Sequence, residues 1–154
     1  MRFALVVSDY HITITAGLET GARAVLAEAG AGDRCERFVV PGAFEIPQVA
    51  QRAAASGRFA AVICLGCLIR GETPHFDYIA QAVSHGIMRA AQSTGVPMAF
   101  GVLTTNTMAE AQARAGADRE NKGREAATAA LAMARLYREL DTPAADRGDG
   151  GERR

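Results

Sequence analysis

The chain of 154 residues lacks a net charge, a long apolar segment and a signal-peptide pattern. Lysine plus arginine and aspartate plus glutamate balance at 17 each, so there is no basic surplus of the kind that nucleic-acid binding usually requires. No apolar run approaches the ~20 residues that a membrane-spanning helix needs. The N-terminus, MRFALVVSDY, has a single basic residue and no small-residue cleavage site. These absences predict a cytoplasmic protein that binds neither nucleic acid nor a membrane.

Cysteines are also few: the chain has three, and an odd number does not suggest a disulfide scaffold. Cys64 and Cys67 form one CxxC motif, CLGC. A tetrahedral zinc site needs a second pair of ligands, which the chain lacks, and a thioredoxin-type CxxC begins a helix, whereas Cys64 lies in an apolar, strand-like run. We therefore expect no metal site, with Cys64 buried and Cys67 at the end of a strand.

What the chain does contain is a regular alternation of apolar runs with helical patterns. We predict strands over residues 3–8, 34–40, 60–66 and 98–104, and helices over residues 14–30, 46–57, 76–95, 107–116 and 121–140. Strands that are apolar throughout and separated by helices are typical of a parallel sheet covered on both faces. The pattern predicts an α/β three-layer sandwich with a four-stranded parallel, flavodoxin-like sheet in one domain, residues 1–140. The polar stretch 141–154 is predicted to be a disordered tail.

In such a sheet the ligand crevice lies at the carboxyl ends of the strands, where polar and aromatic residues of this chain collect. Tyr10 and Phe44 can offer flat apolar surface to a planar ring, although each taken alone is better explained by packing under its own loop. Glu45 either contributes to a site or interacts with the positive end of the helix that follows. The glycines match neither a P-loop nor a GxGxxG fingerprint, which argues against a nucleoside triphosphate or a dinucleotide.

The stretch GETPHFDYI, residues 71–79, is the richest of these loops. The turn over residues 70–73 offers backbone N–H groups and a hydroxyl before a helix, a place that accepts an anion such as phosphate. His75 is a candidate proton carrier, because imidazole changes its charge near neutral pH, and the alternative is a role in starting the helix. We favour the proton carrier, since other candidate site residues lie in the same loop.

Five motifs together resemble the 6,7-dimethyl-8-ribityllumazine synthase (lumazine synthase) family over residues 3–140. They are PGAFEIP (41–47), GCLIRGETPHFDYI (66–79), FGVLTTNT (100–107), ARAG (113–116) and NKGREAA (121–127). The family condenses 5-amino-6-(D-ribitylamino)uracil with 3,4-dihydroxy-2-butanone 4-phosphate and releases phosphate and water, the penultimate step of riboflavin biosynthesis. The resemblance implies this activity without a metal or organic cofactor.

The resemblance also implies roles for individual residues. His75 and Arg114 match the proton-transferring histidine and the phosphate-binding arginine. Among the substrate-binding positions, Tyr10 matches the stacking ring, and Cys67, Leu68 and Ile69 match the segment along the pyrimidine. Ala43, Phe44 and Glu45 match the segment for the ribityl chain, and Glu72 and Thr73 match the turn for the phosphate. A site shared between subunits is matched by Phe100, Lys122 and Glu125, with Arg114. Three positions differ from the family's common pattern. Tyr10 adds a hydroxyl where Phe is frequent, His11 stands where Asn is frequent, and Cys67 stands where Thr is frequent.

Self-association is a further implication of the resemblance. The family forms pentamers with active sites at subunit interfaces, and some pentamers assemble into decamers or 60-subunit shells. We expect a pentamer. Two other functions are compatible with the same fold, a non-catalytic flavin or lumazine carrier and a structural shell protein. Neither needs a proton carrier such as His75, so the enzyme is the preferred interpretation.

Overall fold

The computed structural model describes residues 1–143, and its elements follow the predicted alternation closely. They are β1 Phe3–Ser8, α1 Ile12–Glu28, β2 Cys35–Val40, α2 Ile46–Ala55, β3 Ala61–Ile69, α3 His75–Thr94, β4 Met98–Thr105, α4 Met108–Arg114 and α5 Lys122–Asp141. Short 3-10 turns precede β2 and α2, at Gly32–Arg34 and Ala43–Glu45. The main difference concerns β3, which continues to Ile69 instead of ending at residue 66, because its last residues pair with β4.

The four strands form one parallel sheet in the order β2-β1-β3-β4. The chain moves from β1 to β2 at one edge, returns across β1 to β3 and finishes with β4 at the other edge. Pairing between β3 and β4 runs from Val62 opposite Met98 to Ile69 opposite Thr105. The predicted α/β sandwich with a flavodoxin-like parallel sheet is therefore confirmed.

Side chains of each strand alternate between two helical layers, as the period of a strand requires. Phe3, Leu5 and Val7 of β1 pack with α1 and α5, whereas Ala4 and Val6 pack with α2 and α3. The strand is buried along its whole length because both faces of the sheet are covered. This explains why β1 appears in the sequence as an unbroken apolar run.

The same alternation places the two cysteines of the CxxC motif in different layers. Cys64 packs in the layer of α2 and α3, and Cys67 packs in the layer of α1 and α5. The two thiols lie on opposite faces of the sheet and are both free. Burial raises the pKa of Cys64 to about 12 and that of Cys67 to about 11, so both side chains are uncharged thiols at neutral pH. The interpretation of CLGC as a structural strand segment agrees with this placement.

Helices α1 and α5 approach each other at glycines, and Asn121 closes the contact. The Asn121 side chain is 3% exposed, and its Nδ2 donates to the carbonyl oxygens of Gly17 at 3.0 Å and Gly116 at 2.7 Å. Its Oδ1 accepts hydrogen bonds from the backbone N–H groups of Gly123 at 2.8 Å and Arg124 at 3.1 Å, which caps α5. Asn121 thus joins the start of α5 to α1 and to the turn after α4.

The predicted tail, 141–154, falls mostly outside the described residues. Helix α5 includes Asp141 and ends there, and residues 144–154 are not described. Within residues 1–143, no helix combines the length and the apolar character that crossing a membrane requires.

Candidate active site

A cleft of about 880 Å³ lies where β1, β2 and β3 end, and we call it the strand-end cleft. Its lining comes from the residues after β1, the turn after β2, the end of β3 and the start of α3: Tyr10, His11, Gly42, Ala43, Phe44, Glu45, Cys67, Leu68, Ile69, Gly71, Thr73, His75, Phe76, Tyr78 and Ile79. The parallel sheet directs these ends to one edge, as predicted for a flavodoxin-like fold.

One wall of the strand-end cleft is aromatic. Tyr10 is 64% exposed, and its ring meets the ring of His11 edge to face, with centroids 4.6 Å apart. His11 has a left-handed backbone conformation, with φ at 57°, and its carbonyl oxygen accepts hydrogen bonds from Ile14 and Thr15 in the first turn of α1. Tyr10 therefore presents its ring to the cleft instead of packing beneath its loop.

The turn after β2 forms a second wall. Ala43 is buried and Phe44 is 53% exposed, so the Phe44 ring is available to a ligand. The Glu45 backbone N–H donates to the Gly42 carbonyl oxygen at 3.3 Å, within the 3-10 turn. Glu45 occupies the N-cap position of α2, yet its side chain makes no capping hydrogen bond and instead lines the cleft. Of the two alternatives for Glu45, this position agrees better with a contribution to a site.

The floor of the cleft is the end of β3. Cys67 is buried, while Leu68 and Ile69 are half-buried, and all three line the cleft. The raised pKa of Cys67 keeps its thiol uncharged there, so this segment offers an apolar surface with a weak hydrogen-bond donor.

The turn between β3 and α3 supplies the polar groups. Thr73 and His75 line the cleft, whereas Glu72 is exposed and lines neither of the two clefts described here. His75 is the first residue of α3, and Pro74 holds the N-cap position, so the imidazole does not cap the helix. Within residues 1–143 the imidazole has no hydrogen-bond partner. It is therefore available to contact a ligand in the cleft.

A second, smaller cleft of about 280 Å³ lies along β4, and we call it the β4 cleft. It is lined by Phe100, Gly101, Val102, Leu103, Thr104, Thr105, Arg114, Lys122, Glu125, Ala126 and Ala129. The Arg114 guanidinium donates a hydrogen bond to the Glu110 carbonyl oxygen at 3.0 Å, and Lys122 Nζ pairs with Glu125 Oε2 at 2.6 Å. Phe100 is 47% exposed on this edge strand.

Within one chain, the predicted site residues are therefore divided between the strand-end cleft and the β4 cleft. Nine line the strand-end cleft, namely Tyr10, Ala43, Phe44, Glu45, Cys67, Leu68, Ile69, Thr73 and His75, and four line the β4 cleft, namely Phe100, Arg114, Lys122 and Glu125. No residue lines both clefts. In the described part of the chain, the strand-end cleft has no lysine or arginine in its lining.

Comparison with known proteins identifies the family. The family model described as 6,7-dimethyl-8-ribityllumazine synthase matches residues 1–138. The chain belongs to this family. Two proteins of that name are similar to it: one from Syntrophus aciditrophicus (strain SB) is 49% identical over 141 residues, 91% of this chain and 92% of that protein. The other, from Salinibacter ruber (strain DSM 13855 / M31), is 48% identical over 141 residues, 91% and 90% of the two chains.

Several lining residues were not singled out for the lumazine synthase resemblance, and they come mainly from the first turns of α3. Phe76, Tyr78 and Ile79 line the strand-end cleft together with His75. For Tyr78 and Ile79 the available signal was their spacing from His75, because residues three and four positions along a helix lie on the same face. Phe76 directly follows His75, and helical spacing gives no such signal for it. His11, which the sequence distinguished only by its difference from the family pattern, also lines this cleft.

Proposed function

We propose that the strand-end cleft is the active site in which this lumazine synthase family member condenses 5-amino-6-(D-ribitylamino)uracil with 3,4-dihydroxy-2-butanone 4-phosphate. The family supplies the reaction, and one observation supports its location. Flat aromatic surfaces, the exposed turn with Thr73 and a histidine without a hydrogen-bond partner among residues 1–143 line one cleft of about 880 Å³. This volume is within the range of ligand pockets.

The ring substrate fits the aromatic and apolar side of the cleft. We assign the Tyr10 ring to stacking on the pyrimidine, and the end of β3, from Cys67 to Ile69, to its edge. The turn with Phe44 and Glu45 is assigned to the ribityl chain, whose hydroxyl groups can donate hydrogen bonds to the carboxylate. The exposure of both aromatic rings supports these assignments, because neither ring is used in the core.

The chemistry requires proton transfer and the departure of phosphate. The amine of the uracil attacks the ketone carbon, and the resulting carbinol loses water to form an imine. Loss of the proton from the neighbouring carbon and cleavage of the C–O bond to phosphate then release inorganic phosphate and leave an enol. The enol tautomerises to a ketone, which the ribitylamino nitrogen attacks, and loss of a second water closes the ring. We assign proton transfer in these steps to His75. The turn with Thr73 is assigned to the phosphate, and much of the acceleration is assigned to holding the two reactants together. No covalent nucleophile is required.

Stabilising a phosphate dianion calls for a cation, and we propose that a neighbouring subunit provides it. Arg114 and Lys122 lie in the β4 cleft, whereas the described lining of the strand-end cleft contains no lysine or arginine. The exposed Phe100 beside them is apolar surface that a neighbour would cover. We therefore propose a pentamer in which the β4 cleft of one subunit completes the strand-end cleft of the next. We also propose that residues 1–140 act as one cytoplasmic domain.

A kinetic experiment tests the proposed activity. Mixing the two substrates with the full chain and following lumazine absorbance should show turnover. His75→Ala should lower kcat about tenfold, because positioning carries the rest of the rate. Arg114→Ala should lower kcat/KM for the phosphate substrate about a hundredfold, since a charged donor to the leaving group is lost. Unchanged kinetics in both variants would exclude these roles, and tight lumazine binding without turnover would indicate a carrier.

Mixed oligomers test the shared site. His75→Ala and Arg114→Ala subunits, co-expressed with different tags and purified together, should regain about one quarter of wild-type activity, because a random ring places intact residues on both sides of one interface in four. Sites contained within one chain would instead give the average of the two parents. Static light scattering supplies the mass, and a monomer at micromolar concentration would contradict the proposal.

A further inference from the structure

Arg70, the residue after β3, connects the ends of two strands. Its backbone N–H donates to the carbonyl oxygen of Thr105, the last residue of β4, at 2.8 Å. Its side-chain Nε donates to Asn106 Oδ1 at 3.2 Å. Thr105 lines the β4 cleft, so Arg70 is joined to the wall of that cleft through the backbone and to the following residue through its side chain.

The other end of the guanidinium reaches the first turn of α3. Its two terminal nitrogens donate to the two carboxylate oxygens of Asp77, at 3.4 Å and 3.3 Å, in a bidentate arrangement. The guanidinium carbon also lies 4.6 Å from the centroid of the Phe76 ring. Phe76 and Asp77 directly follow His75, and Phe76 lines the strand-end cleft. A single side chain thus connects the β4 end of the sheet to the turn of helix that carries His75.

This connection matters because the intervening turn provides little support. Residues 71–75 are all exposed, and nothing lies within 4 Å of the position that a Cβ at Gly71 would occupy. Arg70 therefore gives the start of α3 a hydrogen-bonded side-chain link to the strand ends, in addition to the packing of Ile79 against the core. Each of the three guanidinium nitrogens donates to a protein group, so these hydrogen bonds fix the direction of the Arg70 side chain.

We propose that Arg70 is a positioning residue that holds His75 through Asp77 and Phe76, and that it is not a ligand of the substrate phosphate. The inference rests on the proposed function, because it assigns an indirect role in that reaction. A positioning role requires the planar fork of arginine, which lysine cannot reproduce. Replacing a phosphate ligand would instead raise KM for the phosphate substrate, because the lost contact is one to that substrate. The two roles also predict different effects of Asp77→Asn, because Asp77 is paired with the Arg70 guanidinium. If Arg70 is a positioning residue, kcat should fall. If Arg70 is a phosphate ligand, kcat should be unchanged and KM for the phosphate substrate should fall.

The test compares Arg70→Lys, Asp77→Asn and the double variant, all in the full chain with both substrates. Each single variant should lower kcat about fivefold, with KM for the phosphate substrate changed less than about twofold. The double variant should be no slower than about twice the worse single variant, because both changes break one interaction. Circular dichroism should show the wild-type fold, since both side chains are about half exposed.

Arg58 provides a matched control. It donates to both carboxylate oxygens of Glu36, at 2.7 Å and 3.4 Å, and its guanidinium carbon lies 4.7 Å from the Phe59 ring centroid. It lies before β3, near the opposite end of the strand from Arg70, so Arg58→Lys should leave kcat unchanged.

Two results would overturn the inference while leaving the proposed function intact. One is wild-type kcat in Arg70→Lys. The other is Asp77→Asn with an unchanged kcat and a lower KM for the phosphate substrate, which would identify Arg70 as a phosphate ligand. Absence of turnover in the wild-type chain would instead contradict the proposed function, and the inference would fail with it.

Discussion

Replacing Asn121 with alanine tests how the chain holds α1, α4 and α5 together. The side chain uses both of its N–H donors and accepts two hydrogen bonds at its oxygen, within a site that is 3% exposed. Alanine leaves the start of α5 uncapped, and it leaves the carbonyl oxygens of Gly17 and Gly116 without the donors that now satisfy them. Because Asn121 lies between Arg114 and Lys122 in sequence, loosening it should also disturb the β4 cleft.

The expected magnitude follows from these four hydrogen bonds. Loss of a helix N-cap costs about 1 kcal/mol, and each carbonyl group left unsatisfied in a buried place costs about 1 kcal/mol more. Asn121→Ala should therefore lower the free energy of unfolding by about 3 kcal/mol. For a chain of this length that corresponds to a decrease in Tm of about 6–12 °C.

Urea denaturation followed by circular dichroism at 222 nm measures the change, at one fixed protein concentration because assembly contributes to apparent stability. Asn121→Asp is the informative companion, since it keeps the capping oxygen and removes both donors. We expect it to lose about 2 kcal/mol. As a control, Thr107→Ala removes a single cap contact, to the Glu110 N–H, and should cost about 1 kcal/mol. An aspartate variant as stable as the wild type would refute the role of the two carbonyl contacts.

Two further predictions concern packing and thiol chemistry. Gly123→Ala should destabilise the chain by about 2 kcal/mol, although alanine normally favours a helix, because the new Cβ would overlap the Leu18 backbone; equal or higher stability in urea would contradict this close approach. The second prediction is that Cys35, Cys64 and Cys67 react slowly with a disulfide reagent at pH 8 in the native chain and rapidly in denaturant, because burial raises all three thiol pKa values and only the thiolate attacks. Reactivity should rise with pH, and rapid native labelling at pH 8 would show that the thiols are not protected in this way.

Much of the fold could be predicted because its signals are local. The apolar runs identify strands buried on both faces, and β1 has the bounds that the sequence predicted. The end of β3 was harder, since Cys67, Leu68 and Ile69 belong to the strand only through pairing with Leu103, Thr104 and Thr105. That pairing joins residues far apart in the chain, so the sequence around β3 carries no direct signal for it.

The candidate site shows a similar division. Tyr10, Phe44 and His75 could be selected because each follows a predicted strand, and parallel strands bring their carboxyl ends to one edge. The placement of Arg114 could not be derived in this way. It lies in a separate cleft on β4, which depends on how α4 and α5 pack against that edge strand.

The amino-acid sequence by itself determined the class of fold and the loops that carry chemistry, because hydrophobic periodicity and the direction of parallel strands are properties of the chain's own pattern. Its motifs also identified the family. Only the tertiary structure decided that His75 and Arg114 line different clefts. It also decided that Arg70 donates hydrogen bonds to Asp77 and Asn106 and lies over the Phe76 ring. The two hydrogen bonds from Asn121 to distant carbonyl groups were likewise decided by the tertiary structure alone. These relations depend on side-chain directions and distances between segments remote in sequence, which no local pattern encodes.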